Sequence, residues 1–174
     1  MNYTEVKTVT FADFKLPESV ISKLDISHMA SEVERIDNEM TAFDVRNKDN
    51  PDAQKVQPTM SQNLTDFIAQ NNLSLDDGRN RTELIKELRL LNDKVPVIHM
   101  TFSVEADPES LQQLSRWLRE SVHPQSVISV GLQPSLIAGV YLRTPNHVRD
   151  LSLRAMIAGK HDALVAELDT LRVS

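Results

Sequence analysis

The chain has 174 residues and a formal net charge of −6, and 40% of its residues are apolar while only 5% are aromatic. A core must therefore consist mainly of aliphatic side chains, and the acidic balance disfavours non-specific nucleic-acid binding, which depends on neutralising phosphates. The lack of cysteine excludes disulfides, thiolate zinc sites and cysteine nucleophiles.

The first residues give two expectations about structure and location. Residues 4–14 alternate between apolar and polar side chains, which predicts a short strand or an extended tail. No basic segment followed by an apolar one opens the chain, and no window approaches eighteen uncharged apolar residues. We therefore expect a soluble protein that meets a membrane only through partners.

From Asp25, the predicted N-cap, the chain follows a heptad pattern that predicts a helix with one narrow apolar stripe. The stripe consists of residues spaced alternately by three and four positions, namely Ile26, Met29, Val33, Ile36, Met40 and Phe43. Two interpretations are equally open. The stripe binds a coiled-coil partner, or it packs within the chain against later helices.

A polar segment with two prolines, residues 47–58, predicts a linker after the heptad helix. Thr59 or Ser61 can cap a second helix, and a third is predicted from about Ser74 to Asn92. The predicted organisation is a tail, heptad helix and linker over 1–58, a helical segment over 59–94, and an α+β domain over 95–174.

The last of these regions alternates between strand and helix signals. Residues 95–104 alternate in polarity and predict a half-buried strand, and Asp107 with Pro108 opens a helix whose inward face includes Val122, with Trp117 beside it. Residues 127–130 predict a second strand, and a hairpin then leads into a helix capped by Asp150 or Ser152. Residues 163–171 predict a last helix.

This order predicts an α+β fold, with an N-terminal helical region followed by a small mixed β-sheet domain with covering helices. The sequence contains no nucleophile elbow, no phosphate-binding loop and no histidine pair at helical spacing. We therefore predict no catalytic residue, no cofactor and no metal ion, and we expect the protein not to be an enzyme.

Arg143, Arg149 and Arg154, together with His147, form a local basic cluster around the predicted hairpin and the helix that follows it. Such a cluster favours an acidic protein partner, since opposite charges attract and orient the two surfaces. An RNA contact is the weaker alternative because the rest of the chain is acidic.

The stretch from residue 134 to 154 carries a recognisable pattern of strand, turn, strand and helix start. Its residues match a family motif written roughly Asp-x-Ser-Leu-Ile-Gly-Gly, a hairpin, and then Asp-x-Ser before a final helix. The matching positions are Pro134, Ser135, Leu136, Ile137, Gly139, Asp150 and Ser152. Gln133 stands near the first aspartate of the motif, Ala138 at its first glycine, and residues 144–146 at its Gly-Asp turn.

This pattern resembles the C-terminal domain of the delta subunit of F-type ATP synthases, the oligomycin-sensitivity-conferring subunit of mitochondria. The resemblance covers residues 95–174 and implies a non-catalytic peripheral-stalk subunit. In that family, the C-terminal domain engages the b-type stalk helices and a six-helix N-terminal bundle binds alpha subunits of the catalytic head.

The first half of the chain has room for only three or four helices before Val95. The alternative function is therefore a free-standing adaptor that binds a coiled-coil partner outside the synthase.

Overall fold

The computed structural model describes residues 10–48, 58–136, 138–144, 146–160 and 165. The chain forms two compact units: unit 1 comprises residues 1–96 and 115–127, and unit 2 comprises residues 97–114 and 128–174. Three N-terminal helices precede a mixed four-stranded sheet with a helix packed on its last strand, so the fold class is α+β, as predicted. The predicted three-part division at residues 58 and 94 stays a prediction.

Within residues 10–48 and 58–96, unit 1 contains three α-helices: α1 (Lys23–Arg46), α2 (Gln62–Asn71) and α3 (Gly78–Lys94). Ser22, not Asp25, is the N-cap of α1. Asp25 lies at the third helical position and closes a capping box, in which its carboxylate accepts the Ser22 N–H at 2.8 Å. Ser61 caps α2 and Asp77 caps α3, so α3 begins a few residues later than the sequence predicted.

The core of unit 1 lies mainly between α1 and α3, which pack against each other. Its largest buried side chains in these helices are aliphatic or aromatic: Ile26, Met29, Val33, Ile36, Leu64, Phe67, Leu88 and Leu91. Each such burial contributes about 2 kcal/mol of transfer free energy before the entropy of ordering is subtracted.

One charged side chain lies inside this helical pair. Arg81 is 4% exposed, and its Nε donates to Asp37 Oδ1 at 2.7 Å. A second guanidinium nitrogen donates to the carbonyls of Leu75 and Asp76. Because every buried charge needs partners, these bonds fix the turn before α3 against α1.

Side chains from distant parts of unit 1 hold its N-terminal segment by the backbone. The Asn71 side chain donates to the Lys15 carbonyl at 2.9 Å and accepts the Lys15 N–H at 2.8 Å. Gln125 donates to the carbonyls of Phe11 and Phe14. These side chains supply the partners that a neighbouring strand would otherwise provide.

Arg119 extends this arrangement along the same segment. Its guanidinium donates to the carbonyls of Leu16, Pro17 and Val20, and its Nε donates to Ser126. Burial lowers the pKa of this guanidinium, and the nearby carboxylates of Glu18 and Asp25 act in the opposite direction.

The sequence predicted a short strand or an extended tail over residues 4–14. Residues 1–9 lie outside the described residues, and Phe11–Asp13 form a single 3₁₀ turn in which the Asp13 N–H donates to the Thr10 carbonyl. The strand prediction is therefore wrong for this turn, because the local i to i−3 bond takes the backbone groups that a ladder would need.

Unit 2 is built on the sheet, whose strand order is β2-β1-β3-β4. The strands are β1 (Val97–Phe102), β2 (Val127–Leu132), β3 (Gly139–Arg143) and β4 (Val148–Ser152), and only Val127 of these residues belongs to unit 1. β3 is antiparallel to β1 and to β4, with Met100 opposite Leu142 and Leu142 opposite Arg149. Helix α5 (Leu153–Gly159) follows β4 and packs against it.

β1 and β2 are parallel. The Val127 N–H donates to the Pro96 carbonyl, and six residues later the Gln133 N–H donates to the Phe102 carbonyl. Equal steps in the same direction along both strands define a parallel ladder, which requires a crossover connection. Helix α4 (Pro108–Ser121) is that connection.

Two residues of this region are more exposed than the sequence predicted. Trp117 is 55% exposed and Val122 is 58% exposed, although both were expected on or beside the inward face. Ser115 and Leu118 are the buried residues of α4, so the inward stripe is narrower than the apolar pattern suggested.

None of the helices over the described residues combines the length and the hydropathy that a membrane span requires. The last helix predicted from the sequence, over residues 163–171, falls outside them except for residue 165.

Candidate partner-binding surfaces

The structure places most of the heptad stripe inside unit 1. Ile26, Met29, Val33 and Ile36 are buried, while Met40 and Phe43 are half-buried. Because α1 packs along α3, the first four side chains already have partners within the chain. A second protein can reach them only if these two helices separate, so intramolecular packing is the arrangement observed for this part of the stripe.

The residues of the predicted family motif, called the shared motif below, lie around the turns and ends of the hairpin. Pro134, Ser135 and Leu136 form a 3₁₀ turn, and Leu136 is buried. The Gln133 side chain donates to Ser135 Oγ at 3.0 Å and ties the turn to the end of β2. Ile137, also part of the shared motif, lies outside the described residues.

Gly139 has a structural role that no other residue can fill without strain. Its φ is +96°, and a Cβ built on it would lie 2.4 Å from the Leu151 carbonyl oxygen and 2.8 Å from the Ser152 Cα. This positive φ lies in the region that favours glycine. The two short distances show that β3 and β4 approach too closely at this point for a side chain. The shared glycine is therefore required by the hairpin.

Asp150 and Ser152 form a cap at the junction of β4 and α5. Ser152 is the N-cap, since its hydroxyl accepts the Ala155 N–H, and Asp150 Oδ1 accepts the Ser152 N–H at 2.9 Å. Hydrogen bonds from the Ser152 side chain and backbone lower the pKa of the Asp150 carboxyl, and the positive charge of Arg154 adds to the effect. The shared Asp-x-Ser pattern is thus a capping device.

The three arginines of the predicted basic cluster are exposed but do not share one face. Arg143 lies opposite His99 at the end of β3, while Arg149 lies opposite Leu142, so the register assigns these two arginines to opposite faces of the sheet. Arg154 is the second residue of α5. Only Arg149 lies on the sheet face that also carries Leu151.

An exposed apolar surface adjoins Arg149 and Arg154. We call it the C-terminal apolar surface, and its members are between 40% and 59% exposed: Leu151, Leu153, Met156 and Ile157. The sequence did not lead us to predict these residues as a binding site. The feature that could have indicated them is the spacing of residues 153, 156 and 157, which places them on one side of a helix. A short segment with several exposed apolar side chains is a candidate interaction site, whereas single exposed apolar residues are ordinary.

Over the parts of the chain that the structure describes, no three side chains of the His, Asp and Glu type converge to hold a metal ion. One small cavity in unit 1, about 270 Å³, has the partnered Arg119 and the exposed Arg116–Glu18 ion pair among its lining groups. These charged groups are engaged with one another or with backbone carbonyls, so the cavity presents no assembled reaction centre.

Comparison with known proteins leaves the family open. No protein-family model matches the chain. No curated protein matches it either.

Proposed function

We propose that this protein is a non-catalytic, delta-like subunit of the peripheral stalk of a rotary F-type ATP synthase. The observation that carries the proposal is the position of the shared motif residues. Gly139 stands where two strands exclude a side chain, and Asp150 with Ser152 caps the helix after the hairpin. Residues that match a family pattern at structurally demanding positions support a shared local fold more strongly than matches at free surface positions.

In this proposal, the C-terminal apolar surface binds the b-type stalk helices. Its four side chains suit the apolar stripe of an amphipathic helix, and Arg149 and Arg154 can pair with carboxylates beside that stripe. The apolar contact supplies most of the binding free energy, while the charges set orientation and association rate. Binding is therefore expected to weaken as salt is raised.

Unit 1 supplies the contact with the alpha subunits of the catalytic head. Within residues 10–48 and 58–96 it has three α-helices, in place of the six that the family resemblance implies. The subunit would act as a mechanical link in the stator on the cytoplasmic side. It would hold the head against the torque of the rotor, a role that needs rigid contacts and no chemistry.

The smaller helical unit also favours a second candidate. A free-standing adaptor that joins a coiled-coil partner to another protein would need the C-terminal apolar surface but no contact with the catalytic head. The two functions differ in their partners: the first requires synthase subunits, and the second requires none.

Binding to the soluble part of the b-type subunit from the same organism tests the proposal. The full chain is titrated with that protein, and Met156→Asp is compared with Met60→Asp, which places the same charge on an exposed methionine of unit 1. Met156→Asp should weaken binding about tenfold or more, because a carboxylate replaces an apolar contact, while Met60→Asp should change it little.

Far-UV circular dichroism of both variants is the control, and the comparison requires that both keep the helix content of the unaltered chain. Equal binding by both variants would remove the C-terminal apolar surface from the proposal. Failure of the unaltered chain to bind the b-type protein at all would contradict the stalk function itself.

A further inference from the structure

The two edge strands of the sheet differ in how well they are protected against pairing with another strand. An edge strand presents unpaired N–H and C=O groups, and proteins usually protect such edges with charged residues, prolines or local hydrogen bonds. β2 and β4 are the edges here. The protection of each edge indicates which of the two strands can pair with a strand of another protein.

The β4 edge is protected. The bond from the Thr144 N–H to the His147 carbonyl and the bond from the Leu153 N–H to the Ala138 carbonyl fix the antiparallel ladder. By alternation, residues 148, 150 and 152 direct their backbone groups away from β3. Asp150 is charged at this edge, and its side chain accepts the Ser152 N–H. A strand added here would have to displace that bond and desolvate a carboxylate.

The β2 edge has no such protection. Residues 127–133 include no charged residue and no proline. Val127 and Gln133 direct their N–H groups to β1, so alternation directs the backbone groups of Val130 and Leu132 to the opposite side. In the sheet of the described residues, β2 has a neighbouring strand on the β1 side only, so these groups have no ladder partner on the other side. Their side chains are 48% and 58% exposed.

The surroundings of this edge are acidic at one end. Parallel strands end at the same side of a sheet, and the bond from the Gln133 N–H to the Phe102 carbonyl fixes the ends of β2 and β1 together. The loop after β1 and the first turn of α4 carry three exposed carboxylates, Glu105, Asp107 and Glu109, and no basic residue. Hydrogen bonds from the Ser110 side chain and backbone lower the pKa of Asp107 and favour its charged form.

We infer that the exposed half of the β2 edge, with this acidic loop, binds an extended segment of a partner protein that carries alternating apolar residues and a lysine- or arginine-rich end. Backbone hydrogen bonds to Val130 and Leu132 would supply the binding free energy. The apolar side chains of the partner segment would contact the side chains of Val130 and Leu132 on one face of the sheet. An antiparallel segment is the more stable choice, and it places the basic N-terminal end at the carboxylates.

A second copy of this chain fits the edge less well. β2 has no basic residue to offer the acidic loop, and its first two residues are buried. Two exposed half-strands would also bury much less than the roughly 1,200 Å² of a stable interface. The inference is independent of the proposed stalk function, because it concerns a different surface of unit 2.

Backbone hydrogen exchange of the full chain, followed by NMR, tests this inference. The probe is the acetylated, amidated peptide Lys-Lys-Val-Thr-Val-Thr, and its matched control has two glutamates in place of the lysines. Before the probe is added, the Ser129 and Gly131 amides should exchange slowly because β1 holds them, while the Val130 and Leu132 amides should exchange fast. The lysine peptide should slow exchange of both fast amides about tenfold or more, and the glutamate peptide should not.

Two variants compare the edges directly. Val130→Lys on β2 should weaken probe binding about tenfold, whereas Val148→Lys at an equally exposed position of β4 should leave it unchanged. Slow exchange of Val130 and Leu132 in the free chain would overturn the inference. If the slow exchange disappears on dilution, a second copy of the chain pairs with the β2 edge. If it persists on dilution, another segment of the same chain pairs with that edge. Equal effects of both peptides would also overturn it.

Discussion

Gly139 fixes the geometry of the hairpin through its own backbone. Its positive φ is unfavourable for a residue with a side chain, and the atoms that a Cβ would meet belong to the backbone of β4, which cannot rotate away. Gly139→Ala should therefore lower the free energy of unfolding of the sheet by about 2 kcal/mol or more.

Urea denaturation followed by circular dichroism measures this loss. The matched control is Gly131→Ala, where the nearest atom to a new Cβ would be the Thr101 side-chain oxygen at 3.2 Å and no positive φ is involved. Because a side chain can shift, that variant should lose less than about 1 kcal/mol. Equal losses at both positions would show that Gly139 is not specially constrained.

Asp150 links the stability of unit 2 to pH. Its folded-state pKa is lowered, so its contribution is present above the unfolded-state pKa of about 3.9 and is lost as pH falls through the lower folded-state value. The urea midpoint of the unaltered protein should therefore fall between about pH 5 and pH 2.

Asp150→Asn isolates this contribution because the amide oxygen can still accept the Ser152 N–H but does not titrate. The variant should lose less of its urea midpoint over the same acid range. An identical acid-dependent fall in both proteins would assign the effect to other carboxyl groups.

At the scale of elements, the buried side chains of the heptad stripe stabilise helix α1 in unit 1, and the side chains on its exposed face do not. Val33 is 0% exposed and Val45 is 72% exposed, and both belong to the same helix. Val33→Asp should destabilise unit 1 by about 3 kcal/mol or more, because it buries a carboxylate without a partner. Val45→Asp should stay within about 0.5 kcal/mol of the unaltered protein.

Thermal and urea denaturation of the two variants provide the comparison. If Val33→Asp is as stable as Val45→Asp, the α1–α3 packing described here is wrong. A large loss of stability in Val33→Asp would also argue against binding of a coiled-coil partner at the stripe, because side chains buried within the monomer cannot contact a second protein.

The elements themselves were largely predictable from local signals. Alternation of polarity indicated β1, Ser61 indicated the start of α2, and the Asp107-Pro108 pair indicated the start of α4. The prediction of Asp25 as the cap is wrong because aspartate is common both at the N-cap and at the third position of a capping box, and the sequence does not distinguish the two. The partner of the heptad stripe was not predictable, since periodicity reveals a buried face but not what covers it.

The candidate surfaces were less predictable than the elements. The register that separates Arg143 from Arg149 depends on long-range pairing of β3, and closeness in sequence had suggested one cluster. The exposure of Met156 and Ile157 also depends on tertiary packing, because the same spacing is typical of a helix face buried in a core.

At the scale of the whole molecule, two units with different surfaces suit a connecting role. Unit 1 buries most of its heptad stripe and unit 2 exposes apolar side chains near arginines, so the two present different chemistry to partners. The proposed stalk function gives each unit a separate partner, the catalytic head and the b-type helices.

Affinity purification of the tagged protein from gently solubilised membranes of its own organism, with mass spectrometry of the co-purifying proteins, tests the central claim most directly. The proposed stalk function predicts alpha, beta and b-type synthase subunits in near-equal amounts. Recovery of other partners without any synthase subunit would contradict it and would favour the free-standing adaptor.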